Sequence, residues 1–168
     1  RLEELGQLRL EDVKRSGDTI YLDINANHGK SLKTPGSARR IPLHCEVLKL
    51  GFHRYLEDLQ RRRQPHLFPR LPHDRQSVTA QYSKWANRYL SKTCGISDPA
   101  KVFHSFRHTF KDALREAGVP VDINNALTGH KDGSVAGGYG LGYSVRALDE
   151  AIQKLTFSEV TILPHREC

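Results

Sequence analysis

The chain has no methionine and only three cysteines and one tryptophan among its 168 residues. The cysteines, Cys45, Cys94 and Cys168, are far apart, odd in number and form no C-x-x-C pair. This pattern argues against a disulfide framework and against a cysteine-ligated zinc site, and it favours a reducing compartment. The absence of methionine predicts that the sequence is part of a longer chain. No apolar run approaches the length of a membrane-spanning helix, and no signal peptide opens the sequence.

Acidic residues are fewer than basic ones: the chain has 19 Asp and Glu and 26 Lys and Arg, which gives a net charge of +7. The isoelectric point is about 9.5. Such a balance favours a polyanionic partner, with nucleic acid first and an acidic membrane second. It is equally compatible with a soluble protein that is simply basic. With 38% hydrophobic and 27% charged residues, a chain of this length suits one globular domain with one core.

Apolar residues at helical spacing predict helices over most of the chain. The predicted helices are a first one with the stripe Leu2, Leu5 and Leu8, then 44–63, 77–95 capped by Ser77 or Thr79, 105–117 capped by Ser105 with Phe106 and Phe110 in its apolar stripe, 122–129, and 145–155.

Extended segments are few. The alternating, β-branched stretch "DTIYLDI" predicts a strand over 18–24. The segment "GKSLKTPGSARRIPL" predicts two short extended pieces around the turn "TPGS", which together form a hairpin. The expected fold class is therefore α+β, mostly helical with a small antiparallel three-stranded sheet.

The stretch "HSFRHTF" at 104–110 allows two chemical interpretations. His104 and His108 are four residues apart and could share a metal, but a zinc protease needs glutamate after the first histidine, where this chain has Ser105. Arg107 would also repel a bound dication. Phosphate binding explains the stretch better than metal binding does, because the planar, permanently charged guanidinium group of arginine can bind two phosphate oxygens at once. The remaining alternative is a solvated basic helix face with a capping histidine.

Two other motifs are absent. The glycine-rich "GGYGLGY" has neither the G-x-x-x-x-G-K-[ST] nor the G-x-G-x-x-G spacing of a phosphate loop. No G-x-S-x-G nucleophile elbow occurs.

Five blocks in chain order, "RLEELGQLRLEDV", "LKTPGSARRIPL", "HSFRHTF", "LTGH" and Tyr139, resemble the signature set of the tyrosine recombinase or phage-type integrase family. In the first block Arg1 is followed three residues later by Glu4, and in the second Lys33 precedes an "IPL" strand. The third block supplies a His-x-x-Arg box.

The last two blocks match the family by their spacing. "LTGH" corresponds to the family's Leu-Gly-His box and ends at His130. The family's nucleophilic tyrosine comes nine residues after that histidine, and the tyrosine at that distance is Tyr139. Tyr143 is the rival nucleophile.

The resemblance implies a site-specific recombinase or integrase that cleaves and rejoins DNA through a 3′-phosphotyrosine intermediate, with neither metal nor other cofactor. It implies that Lys33 is the general acid, that Glu4 orients the arginines, and that His104 deprotonates the tyrosine or holds the phosphate. The catalytic residues it implies are Arg1, Lys33, His104, Arg107, His130 and Tyr139. Arg39, Arg40 and Lys111 are expected to contact DNA.

The expected organisation is a catalytic domain of the tyrosine recombinase type over 1–157, truncated at its N-terminal side, and a C-terminal tail over 158–168. The expected partner is double-stranded DNA, with a homo-oligomer forming on DNA or a monomer as the isolated fragment, and no membrane. The expected location is the cytoplasm of a bacterium or of a phage-infected cell, in association with the nucleoid. A catalytically silent DNA-binding module, a type IB topoisomerase-like enzyme and a metal-dependent nuclease are the competing functions.

Overall fold

The computed structural model of the protein describes residues 1–74, 76–130 and 142–156. About half of the chain is helical, and the described part also contains one three-stranded antiparallel sheet. The predicted α+β class is thereby confirmed at this level. None of the described helices is long and apolar enough to cross a membrane.

The helices and strands follow the chain in a simple order. The helices are α1 (Leu2–Gly6), α2 (Cys45–Lys49), α3 (Phe52–Arg61), α4 (Ala80–Lys92), α5 (Ser105–Glu116), α6 (Val121–Thr128) and α7 (Val145–Ile152). The strands are β1 (Val13–Ser16), β2 (Thr19–Ile24) and β3 (Arg39–Pro42).

The sheet has the order β1-β2-β3, and both pairs are antiparallel. The β1–β2 hairpin turns at Gly17, whose φ of 58° is left-handed, and β3 pairs with β2 so that Arg39 lies opposite Ile24. Leu22 and Ile24 are buried on the inner face of β2. The strand predicted over 18–24 is confirmed.

The hairpin predicted around "TPGS" is wrong, because residues 30–34 form no strand. These residues contact the N-terminal part of the chain instead. The Lys30 ammonium lies 2.5 Å from both carboxylate oxygens of Asp12, and the Ser31 amide donates to Gln7 at 2.7 Å. β2 pairs with β1 on one side and with β3 on the other. The hairpin in this sheet is therefore β1–β2, and residues 30–34 add no strand to it.

The helix predicted over 44–63 is two helices, α2 and α3, separated at Gly51. Its φ of 94° lies in the left-handed region, which a right-handed helix cannot continue through. At α4, Thr79 stands at the expected cap position, but its hydroxyl donates to the Glu3 carboxylate instead of accepting from the helix. At α5 the residue before the helix is His104, so Ser105 is its first residue and not its cap.

Within the described residues, the core consists of two clusters that meet at β3. One joins α5, α6 and α7 through buried residues that include Leu114, Leu127 and Leu148. The other joins the sheet to the N-terminal segment and α3. Ile41 of β3 packs against both clusters. Phe106 was expected in the apolar stripe of α5, but its side chain is 60% exposed and meets Phe103 edge to face.

The helical hairpin α5–α6 brings two distant sequence blocks together. The chain turns at Gly118, with a φ of 68°, and Asn124 of α6 donates to the Lys111 carbonyl of α5 at 2.9 Å. Since the two helices run in opposite directions, the first turn of α5 lies beside the end of α6. That end is also where β3 and α1 approach.

Candidate functional site

The centre of the site is the buried carboxylate of Glu4, whose side chain is 3% exposed. One oxygen accepts from Arg1 at 2.6 Å and the other from Arg39 at 2.8 Å. Burial alone would raise the pKa of Glu4, but the hydrogen bonds from Arg39 and Arg1 outweigh it and lower the pKa from 4.5 to about 2. The carboxylate is therefore ionised at any working pH and holds two guanidinium groups in place.

Arg1 reaches from α1 across to α6. Its Nη1 donates to the Ser37 hydroxyl at 2.7 Å, and its Nη2 donates to the Gly129 carbonyl at 3.2 Å. Ser37 is fully buried and also shares a hydrogen bond of 2.9 Å with the hydroxyl of Thr34. The Arg1 side chain is still 22% exposed, so it is anchored at the protein side and accessible at the other.

Arg107, in the first turn of α5, is half-buried and donates to the carbonyl of Thr128. Burial, followed by the positive charges of Arg1 and Arg39, lowers the pKa of Arg107 from its ordinary value. Arg107 and Arg1 are thus anchored on two consecutive carbonyls at the C-terminal end of α6. Two guanidinium groups held this close, with Glu4 as the nearby carboxylate, form a site that favours an anion.

Two histidines flank the arginines. His104 immediately precedes α5, and His130 follows Gly129, whose φ of 66° ends α6; both side chains are exposed. The partial desolvation that the exposed rings still undergo, followed by His108 and Arg107, lowers the pKa of His104 below its usual value of 6.5. Partial desolvation, followed by the charges of Lys111 and Arg107, also lowers the pKa of His130. The neutral form of both imidazoles therefore predominates at pH 7, and it can donate with one nitrogen and accept with the other.

Lys33 lies on the connection between β2 and β3 with its side chain exposed. The structure ties this connection to the arginines through the next residue, because Thr34 contacts Ser37, which in turn accepts from Arg1. The predicted hairpin strand around Lys33 is absent, so the lysine lies on a loop that the contact between Thr34 and Ser37 anchors.

The three residues expected to contact DNA differ in exposure. Arg40 is exposed and Lys111 is half-exposed, as a phosphate contact requires. The Arg39 side chain is 7% exposed, and its three nitrogens donate to protein acceptors. Arg39 and Arg40 differ in exposure because they are consecutive in β3, and consecutive side chains of a strand point to opposite faces.

The predicted nucleophile Tyr139 lies outside the described residues, as do residue 157 and the predicted tail over 158–168. Tyr143, its rival, is described, and its hydroxyl donates to the carboxylate of Asp122. This hydrogen bond raises the pKa of Tyr143 above its ordinary value of 10. The Tyr143 hydroxyl is therefore engaged within the protein, and its phenolate forms less readily.

Among residues 1–74, 76–130 and 142–156, no group of three His, Cys, Asp or Glu side chains could hold a metal ion. The rings of His104 and His108 stand edge to face with centroids 5.6 Å apart. The guanidinium donors of Arg1 and Arg107, with the imidazoles of His104 and His130 beside them, are groups that can bind an oxyanion.

Sequence reasoning missed the parts of the site that are backbone or small. The carbonyls of Thr128 and Gly129 carry no side-chain signal, and no motif marks a carbonyl as an arginine acceptor. Ser37 could have been suspected, because a serine hydroxyl in a turn often forms a local hydrogen bond. Only the tertiary contacts show that it binds Arg1.

The model of the family described as "Phage integrase family" matches residues 1–140, which is most of the chain. No curated protein matches the chain, and no solved structure does.

Proposed function

Because the chain belongs to the phage integrase family, a family of DNA recombinases and integrases, we propose that it is a site-specific recombinase of the tyrosine type. Family membership supports a role in DNA recombination or integration, with DNA as the partner. The finer proposal is that the protein cleaves and rejoins DNA strands through a 3′-phosphotyrosine intermediate, without metal or ATP.

The observation that carries this proposal is the convergence of Arg1 and Arg107 on the carbonyls of Gly129 and Thr128. Attack on a phosphodiester builds negative charge on the two non-bridging oxygens. Guanidinium groups fixed in advance stabilise this charge without reorganising during the reaction. Removing one such donor typically costs about 100- to 1000-fold in rate. His104 and His130 add neutral donors at the same place.

The phenolic oxygen of Tyr139 attacks phosphorus, its proton passes to the neutral imidazole of His104, and the bond from phosphorus to the 5′ oxygen breaks. Lys33 gives its proton to the leaving 5′ oxygen. The phosphodiester energy is kept in the new tyrosine ester, so a 5′ hydroxyl can reverse the step without ATP. Rejoining to the 5′ hydroxyl of a partner strand exchanges strands between two DNA molecules.

The remaining parts of the proposal rest on the family resemblance. Residues 1–157 form the catalytic domain and 158–168 a tail, and the protein assembles as a homo-oligomer on double-stranded DNA in the cytoplasm. Arg40 and Lys111 contact the DNA backbone, which their exposure supports. The hydrogen bond from Tyr143 to Asp122 supports Tyr139 as the nucleophile.

A covalent-trapping assay tests the proposal. The protein is mixed, in EDTA, with nicked suicide DNA fragments from a random genomic pool, and a denaturing gel is used to detect a protein–DNA adduct. Tyr139→Phe is compared with its matched control Tyr143→Phe. We expect an adduct with wild type and with the control, and none with Tyr139→Phe.

Other outcomes would assign another function. An adduct that persists in Tyr139→Phe but disappears in Tyr143→Phe would reverse the choice of nucleophile. Salt-sensitive DNA binding with no adduct would indicate a silent binding module. Relaxation of supercoiled circles without strand exchange would indicate a topoisomerase-like enzyme. DNA cleavage without an adduct that requires a divalent metal ion and is lost in EDTA would indicate a metal-dependent nuclease.

A further inference from the structure

Arg39 connects three separate parts of the fold through one guanidinium group. Its Nε donates to the Leu127 carbonyl at 3.1 Å, its Nη1 to the Ser37 carbonyl at 2.7 Å, and its Nη2 to Glu4 at 2.8 Å. These acceptors belong to α6, to the turn before β3 and to α1. Because the side chain is 7% exposed, this guanidinium group is a structural joint and not a surface contact.

Each partner of Arg39 either accepts a hydrogen bond from one of the two site arginines or is adjacent in the chain to a residue that does. The second oxygen of Glu4 accepts from Arg1 at 2.6 Å. Ser37, whose carbonyl accepts from Arg39, offers its hydroxyl to Arg1 at 2.7 Å. On the other side, Leu127 immediately precedes Thr128, and the carbonyl of Thr128 accepts from Arg107. Arg39 therefore influences the placement of both arginines through their shared supports.

Gly129 provides an independent observation of the same joint. A Cβ atom on this residue would lie 2.9 Å from Nη1 of Arg39, 3.1 Å from Cζ and 3.2 Å from Nε. The guanidinium plane therefore lies directly against the backbone of Gly129, whose carbonyl holds Arg1. The φ of 66° at this position also favours glycine. A side chain here would displace the Arg39 guanidinium group without removing any hydrogen-bond donor or acceptor from the protein.

The charges in this cluster have different surroundings. Arg39 and Glu4 form an ion pair in which both side chains are almost fully buried, at 7% and 3% exposure. Arg1 is 22% exposed and Arg107 half-buried, so these two are the guanidinium groups that solvent reaches. The buried pair of Arg39 and Glu4 holds a fixed geometry, and the more exposed Arg1 and Arg107 present positive charge to a ligand.

We propose that Arg39 is a positioning residue, which sets the spacing of Arg1 and Arg107 for a phosphate group by joining α1, α6 and the turn before β3. This inference rests on the proposed function, because it assumes that these two arginines bind phosphate. It assigns to Arg39 an indirect role in place of the direct DNA contact expected from the sequence.

The test uses inorganic phosphate as the probe and the intact chain as the protein. Phosphate binding is followed by NMR chemical shifts of the His104 and His130 rings, with Arg107→Gln as the control that defines the site. Arg39→Lys keeps the charge but lacks the three-way fork, and Arg39→Met keeps only the length. We expect both to weaken phosphate binding about tenfold, while Arg15→Lys, on exposed β1, binds as wild type does.

A purely structural role is distinguished by measuring every variant well below its unfolding temperature, with the fold verified by circular dichroism. Gly129→Ala provides a second route if Arg39→Met fails to fold, since it displaces the guanidinium group without removing it. We expect Gly129→Ala to weaken phosphate binding in the same direction.

Three results would overturn the inference. Binding that is unchanged in folded Arg39→Lys and Arg39→Met would show that the joint does not act on the site. Binding restored by lysine but not by methionine would show that charge alone matters and that the fork does not. If wild type and Arg107→Gln respond equally, the phosphate site itself fails, and with it both the proposed function and this inference.

Discussion

Replacement of Glu4 by glutamine is the most direct test of the buried network. The carboxylate is 3% exposed and accepts from Arg1 and Arg39 through different oxygens. Glutamine has nearly the same shape but carries no charge, and it can accept through only one oxygen. Arg39 would keep a buried positive charge without its counter-ion, which is the costly half of a broken ion pair.

The expected magnitude follows from the pKa of Glu4, which the two arginines lower from 4.5 to about 2. At about 1.36 kcal/mol for each pH unit, this difference corresponds to about 3 kcal/mol of stability. Since the folded-state pKa is the lower one, the contribution is fully present above pH 4.5 and is lost as the pH falls toward 2. About 2 kcal/mol of it should already be lost at pH 3.

The assay is urea unfolding of wild type and Glu4→Gln at a series of pH values between 7 and 3. We expect the difference in the free energy of unfolding to be about 3 kcal/mol at pH 7 and about 1 kcal/mol at pH 3. Glu57→Gln, on an exposed face of α3, is the matched control and should change stability by less than about 0.5 kcal/mol. A difference between wild type and Glu4→Gln that stays constant with pH would refute the reasoning.

Three further predictions concern other parts of the chain. Burial and neighbouring charges lower the pKa of His104, so any acidic loss of the strand-cleavage rate should lie below pH 6.5 and disappear in His104→Gln; a loss above pH 6.5 would contradict this. Leu114→Ala, at 0% exposure, should lower the free energy of urea unfolding by about 2–5 kcal/mol, and Val121→Ala, at 70% exposure, by less than about 0.5 kcal/mol; equal losses would contradict the core assignment. Lys30→Met should cost about 3 kcal/mol in the same assay because it leaves the buried Asp12 carboxylate unpaired; a cost under about 1 kcal/mol would show that the pair contributes little.

Much of the local structure could be predicted because its causes are local. The alternation in "DTIYLDI" and the spacing of Val145, Leu148 and Ile152 depend only on which side chains repeat at a strand or helix period, and both elements are present. Gly129 ends α6, as its position predicts, because glycine adopts a left-handed conformation at little cost.

The errors arose where a distant contact decides between two local possibilities. Residues 30–34 have the turn signals of a hairpin, but the ion pair from Lys30 to the buried Asp12 holds them against the N-terminal segment. Phe106 fits a helical apolar stripe, yet the described part of the chain leaves it 60% exposed. Periodicity identifies which residues share a face, but it does not identify what that face meets.

The sequence by itself determined the helix and strand periods, the basic character and the order of the blocks around Arg1, Lys33, His104 and His130, because these depend on residue type and spacing alone. Only the tertiary structure decided that Arg39 is buried while its neighbour Arg40 is exposed, since that depends on which face of β3 lies against α1 and α6. The anchoring of both site arginines on adjacent carbonyls was likewise decided by packing. Backbone acceptors are identical at every residue, and only the fold determines which of them lies within reach of a distant guanidinium group.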